Sequence, residues 1–136
     1  MEESQLFPVL FYIHGGGFEL GTASFFQPEV LADYYASEGV IFVSVQYRLG
    51  PLGNLLLSVL SQIQKQIAFK GFASNGQASF PGNNGLWDQI AALKYVNRNI
   101  RYFGGDSNKI TLVGNSAGSC GVSALSVSTH SRGISF

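Results

Sequence analysis

Residues 9–13, Val-Leu-Phe-Tyr-Ile, form a short unbroken apolar run. That is the pattern of a strand buried on both faces. Glycines 15–17 end it. Residues 30–38 are expected to form a helix, stopped by Gly39 at its C-terminus. Residues 40–47 are rich in β-branched and aromatic side chains and predict a second strand. The clearest helix is 86–103, where Leu86, Ile90, Leu93, Val96, Ile100 and Phe103 recur at three- and four-residue steps. Gly104-Gly105 ends it, and Asp106-Ser107-Asn108 turns the chain into a third apolar run at 110–113. Small residues over 117–127 predict a third helix. The order β-α-β-α-β-α predicts an α/β segment with a parallel sheet and right-handed crossovers. Ligand sites in such sheets lie at the carboxyl ends of the strands.

Two glycine motifs fall at such ends. His14-Gly15-Gly16-Gly17-Phe18 follows the first strand, and Gly114-Asn115-Ser116-Ala117-Gly118 joins the third strand to its helix. Strand, G-x-S-x-G, helix is the setting of a nucleophile elbow, a turn so sharp that the serine Oγ stands clear of the backbone. The upstream glycines suit an oxyanion hole, because backbone N–H groups approach a tetrahedral oxyanion best with no Cβ in the way. The pair predicts Ser116 as nucleophile, with Gly16, Gly17 and the backbone N–H of Ala117 as oxyanion donors. Gly15 shapes the turn. The bland alternative is two glycine turns with a surface serine.

Composition changes the picture in one respect. Only 12% of the 136 residues are charged and 46% are hydrophobic, against a usual charged share of ~25%. A small domain needs charge to cover its surface. The strands are therefore expected to be covered by elements outside this chain. Net charge is zero, with 8 basic and 8 acidic residues and no basic cluster, so no nucleic-acid partner is expected. A single cysteine, Cys120, excludes an internal disulfide and reads as a small buried hydrophobe. Met1-Glu2-Glu3-Ser4-Gln5 lacks the basic and apolar regions of a signal peptide. No apolar stretch approaches the ~20 residues of a membrane span. The compartment stays open.

The runs PVLFYIHGGGF, VSVQYRLGPLG, FPGNNGLWDQIAALKYVNRNIRYFGGD and ITLVGNSAG resemble the type-B carboxylesterase/cholinesterase family of α/β-hydrolases. The resemblance covers nearly all of 1–136 except residues 54–71. It implies a partial α/β-hydrolase fold whose N-terminal strands are missing before Pro8. It also implies hydrolysis of a small-molecule carboxylic ester through an acyl-serine intermediate, with no cofactor and no metal. His14 is then a structural residue of the oxyanion loop, and Arg48 pairs with Asp88 rather than standing as a solvated charge. The family's usual Glu before the nucleophile is Asn115 here, which removes a negative charge beside the site.

In α/β-hydrolases the triad runs Ser, then Asp or Glu, then His. No Asp or Glu follows Ser116, so the acid and the base are expected outside residues 1–136. His130 follows Ser116 by fourteen residues. Across a helix rising ~1.5 Å per residue it lies roughly 20 Å away, too far to be the base. Trp87, Tyr34, Tyr35 and Tyr95 read as packing residues. The rivals to an esterase are a non-catalytic adhesion or binding module on the same fold and an inactive truncated product. Residues 54–71 look like an insert, since joining Gly53 to Phe72 restores continuous family-like sequence. A translated intron or gene-model error is one reading. A real loop is the other, with Leu56, Leu60, Ile63 and Ile67 at helical spacing.

Overall fold

The computed structural model describes residues 5–50 and 82–136. The expected insert at 54–71 lies outside them. Three strands, β1 (Phe7–Ile13), β2 (Ile41–Val45) and β3 (Gly105–Gly114), form one parallel sheet in the order β2-β1-β3. The expected α/β architecture is present. Each parallel step needs a crossover, and the helices supply them: α1 (Pro28–Leu31) before β2, α2 (Asn84–Asn99) before β3, and α3 (Ala117–Val127) after it.

The two faces of β1 differ. Val9, Phe11 and Ile13 are buried, and with Ile90, Leu93, Val96 and Leu125 they form the core under α2 and α3. Leu10 and Tyr12 point to the α1 side. There an open apolar cavity of about 330 Å³ is lined by Leu10, Tyr12, Phe26, Tyr35, Phe42 and Val113, among others. So one face is closed and the other only partly covered. This matches the low charge content, since apolar strand faces need a cover.

Several boundaries depart from the sequence reading. The helix expected at 30–38 begins at Pro28, whose missing N–H costs nothing in a first turn. It holds α-helical form only to Leu31 and continues as a π-helical turn over Ala32–Ala36, with the Ser37 N–H donating to the Ala32 oxygen. Strand β2 stops at Val45 because its partner β1 ends there, with Ile13 opposite Val45. β3 begins five residues before Ile110, because Gly105 already pairs with Phe7. The stripe of α2 ends at Ile100, since a 3₁₀ turn over Ile100–Phe103 leaves Phe103 exposed.

Side-chain placement departs from expectation in part. Trp87, Tyr34 and Tyr95 lie at the surface and not in the core, Trp87 packing there on the His130 ring and Tyr34 lining the apolar cavity. Tyr35 does pack, against Phe42 at 5.1 Å. Cys120 is exposed, because α3 turns Ala117, Gly118, Gly121 and Leu125 inward and its neighbours Ser119 and Cys120 outward.

Candidate active site

Both motifs sit at the same edge of the sheet. Ile13 and Gly114 are register partners at the ends of adjacent parallel strands, so the loops that follow them start side by side. Asn115 N–H reaches back to the Ile13 oxygen at 3.4 Å.

Ser116 has φ 54 and ψ −120, a backbone conformation that costs a non-glycine residue on the order of 1–3 kcal/mol. It is the N-cap of α3, yet its side chain makes no capping bond. The chain folds into this turn because the residues two before and two after Ser116 are glycines without a Cβ. A Cβ on Gly118 would collide with the Ile13 carbonyl, and one on Gly114 would collide with Gly118. The turn is closed by Gly118 N–H to the Asn115 oxygen at 2.8 Å and Ser119 N–H to the Ser116 oxygen at 2.9 Å. Ser116 itself is exposed.

The glycine loop is laid against this elbow. A Cβ on Gly15 would stand 2.6 Å from the Asn115 oxygen and 3.0 Å from Ser116 Cβ. Gly16 and Gly17 follow with φ of 113 and 64. Glu19 and Leu20 N–H both turn back to the Gly16 oxygen, at 3.1 and 2.9 Å. Among the described residues no acceptor takes the N–H of Gly16, Gly17 or Ala117. These three N–H groups belong to the two loops that meet at Gly15 and Ser116, two in the glycine loop and one in the first turn of α3, where N–H groups lack helical partners.

His14 is buried at 3% exposure. Its Nδ1 lies 2.8 Å from the Gly15 oxygen, and its ring stacks on Tyr47 at 4.5 Å. It supports the loop from beneath. His130 lies beyond the C-terminus of α3 and is exposed, with its ring 4.6 Å from that of Trp87. Arg48 and Asp88 do pair: Arg48 Nε and Nη2 donate to the two carboxylate oxygens at 2.7 and 2.8 Å, and Arg48 N–H adds a third bond at 2.9 Å. The pair ties the chain after β2 to the second turn of α2. Tyr47 is the residue that sequence reasoning missed. Its partner His14 is 33 positions away, beyond any local pattern. Among the described residues no cluster of His, Cys, Asp and Glu could hold a metal ion, and no helix is long and apolar enough to cross a membrane.

Comparison with known proteins agrees with this geometry. The model of the carboxylesterase family matches residues 1–135. Gut esterase 1 of Caenorhabditis elegans is 46% identical over 131 residues, which is 96% of this chain and 20% of that protein. Neuroligin-3 of Mus musculus is 39% identical over 127 residues, 93% of this chain and 13% of that protein. Among solved structures, a PNB esterase superposes with a TM-score of 0.71 at 37% identity, covering 98% of this chain and 25% of the other. The chain thus spans about a fifth of the length of the esterase relative.

Proposed function

Because the chain belongs to the carboxylesterase family, we propose that it carries the nucleophile and oxyanion half of a serine ester hydrolase. Ser116 Oγ attacks the carbonyl carbon of a small carboxylic ester while a base takes its proton. The carbonyl oxygen becomes an oxyanion and is met by the N–H groups of Gly16, Gly17 and Ala117. Collapse of the tetrahedral intermediate breaks the bond to the alcohol, which leaves with a proton, and an acyl-Ser116 remains. Water then repeats the sequence and frees the acid. A serine hydroxyl needs an adjacent base. The base and its orienting acid are assigned to residues outside 1–136, which form part of a larger type-B domain.

The observation that carries this reading is the contact of Gly15 with Asn115 and Ser116. It lays the glycine loop against Ser116, the positive-φ serine among the described residues, and so supports a shared site. Labelling with a fluorophosphonate tests it, with Ser116 as the expected site of the adduct.

A second reading is a binding module without turnover on the same fold, against which the Ser116 elbow argues. It predicts no adduct in a folded full-length protein. Residues 54–71 are proposed to be an insert. Transcript sequencing tests this, since a mature message joining Gly53 directly to Phe72 marks the segment as an artefact of the gene reading.

A further inference from the structure

Tyr47 leaves β2 two residues after Val45 and turns inward, with 3% of its surface exposed. Its ring lies nearly parallel to the His14 imidazole, 4.5 Å between centroids at 20°. Its hydroxyl donates to the His14 carbonyl oxygen at 2.7 Å. His14 in turn approaches the Gly15 carbonyl oxygen with Nδ1, at 2.8 Å. A carbonyl carries no proton, so the imidazole nitrogen is the donor and His14 holds its hydrogen on Nδ1.

That bond reaches the chemistry through peptide geometry. The Gly15 carbonyl and the Gly16 N–H belong to one planar trans unit and point in opposite directions. Pinning the oxygen on one side fixes the aim of the N–H on the other. We infer that Tyr47 is a positioning residue of the oxyanion loop: it holds His14 so that Nδ1–H pins the Gly15–Gly16 peptide and aims the Gly16 N–H. The inference rests on the ester-hydrolase reading above.

Further observations agree. A buried phenol hydroxyl is costly unless bonded, and this one is spent on the His14 backbone. Burial, with a smaller contribution from Tyr12, raises the Tyr47 pKa to about 12, so the hydroxyl stays a donor across neutral pH. Gly21 packs against that hydrogen bond and leaves it no slack, since a Cβ there would lie 2.5 Å from both Nδ1 and the Gly15 oxygen. The other ring nitrogen, Nε2, is buried and unpartnered among the described residues. The ring is therefore oriented by one hydrogen bond and by Tyr47.

Tyr47→Phe keeps the ring and removes only the donor. In the full-length protein it is expected to lower kcat per titrated Ser116 by about tenfold, less than the about 10²–10³ lost with a whole donor. KM should hold within about twofold, as for an interaction made in the transition state. Affinity for a boronic acid that mimics the tetrahedral intermediate should fall with kcat. Exchange of the His14 Nδ1–H proton, followed by its imidazole NMR resonance, should quicken. Val45→Ala is the control for plain destabilisation: it should lower Tm and leave kcat per titrated site unchanged. Unchanged kcat and unchanged His14 Nδ1–H exchange in Tyr47→Phe would overturn the inference, as would an equal kcat loss in Val45→Ala. If wild-type protein takes no label at Ser116, the ester-hydrolase reading fails by itself. His14 Nδ1–H exchange still decides the brace in that case, supporting it if faster in Tyr47→Phe and overturning it if unchanged.

Discussion

Gly15 and Ser116 lie back to back, so close that a methyl group on Gly15 would stand 3.0 Å from Ser116 Cβ and 2.6 Å from the carbonyl oxygen of Asn115. The contact joins two loops that are a hundred residues apart in sequence. It is possible because β1 and β3 are neighbours that end in register, Ile13 beside Gly114.

The contact orders the effects of substitution along the loop. Gly15→Ala must push the loop off the elbow, because its neighbour is backbone and cannot turn aside. A misplacement approaching 1 Å can cost about 10²-fold in rate. At Gly17 a Cβ meets nothing within 4 Å, and only its φ of 64 resists a side chain, a strain of roughly 1–2 kcal/mol. The expected order of loss in kcat per titrated site is Gly15→Ala, then Gly17→Val, then Gly17→Ala. Ser119→Ala should lose least, since it removes only an exposed hydrogen bond to the Gly114 oxygen. Gly17→Ala losing more than Gly15→Ala would shift the oxyanion site away from this contact.

The Arg48–Asp88 pair sets an acid limb of stability. Burial alone would raise the Asp88 pKa, but the hydrogen bonds and charge of Arg48 outweigh it and hold the carboxyl below its ordinary 3.8. A folded-state pKa below the unfolded one contributes stability above about 3.8, and this is lost as pH falls through the folded value. Asp88→Asn should therefore be less stable than wild type at pH 7, and the two should converge in stronger acid. Denaturant melts at both pH values check this, and a constant gap would contradict it.

The elements and the elbow were readable because they are written locally. Unbroken apolar runs mark strands buried on both faces, and glycines beside Ser116 mark a turn that admits no Cβ. The Arg48–Asp88 pair came from family resemblance and not from spacing. What escaped the sequence depends on which way a residue faces. Cys120 is one residue from Gly121, yet Gly121 packs on Gln89 and Cys120 faces outward. Phe103 continues the α2 stripe in sequence, but the 3₁₀ turn at Ile100 rotates it out of line. Tyr47 meets His14 through tertiary packing alone.

Tyr47 also gives an alkaline limb. Its pKa rises from 10.0 to about 12 in the fold. Stability from this group is complete below pH 10 and declines as pH rises toward about 12, by on the order of 2 kcal/mol. Melts between pH 9 and pH 12 should show that slope in wild type and lack it in Tyr47→Phe. Parallel slopes would mean the hydroxyl is not buried as described.

Residues 1–136 made alone should fold poorly and turn over no ester. The α1 side of the sheet is an open apolar cavity, and Tyr34 and Val30, which line it, are exposed. Such patches favour association. Strong binding of a hydrophobic dye, weak near-UV circular dichroism and no Ser116-dependent hydrolysis of a short activated ester are expected. A well-dispersed monomer with turnover abolished by Ser116→Ala would contradict this and point to a base within the segment.

The most direct test is covalent. Full-length protein, shown to be folded by its melting transition, is treated with a fluorophosphonate and mapped by peptide mass. The site described here predicts one adduct on Ser116, formed faster than on any other serine and absent in Ser116→Ala. A folded protein with an unmodified Ser116, or with equal labelling in Ser116→Ala, would contradict it.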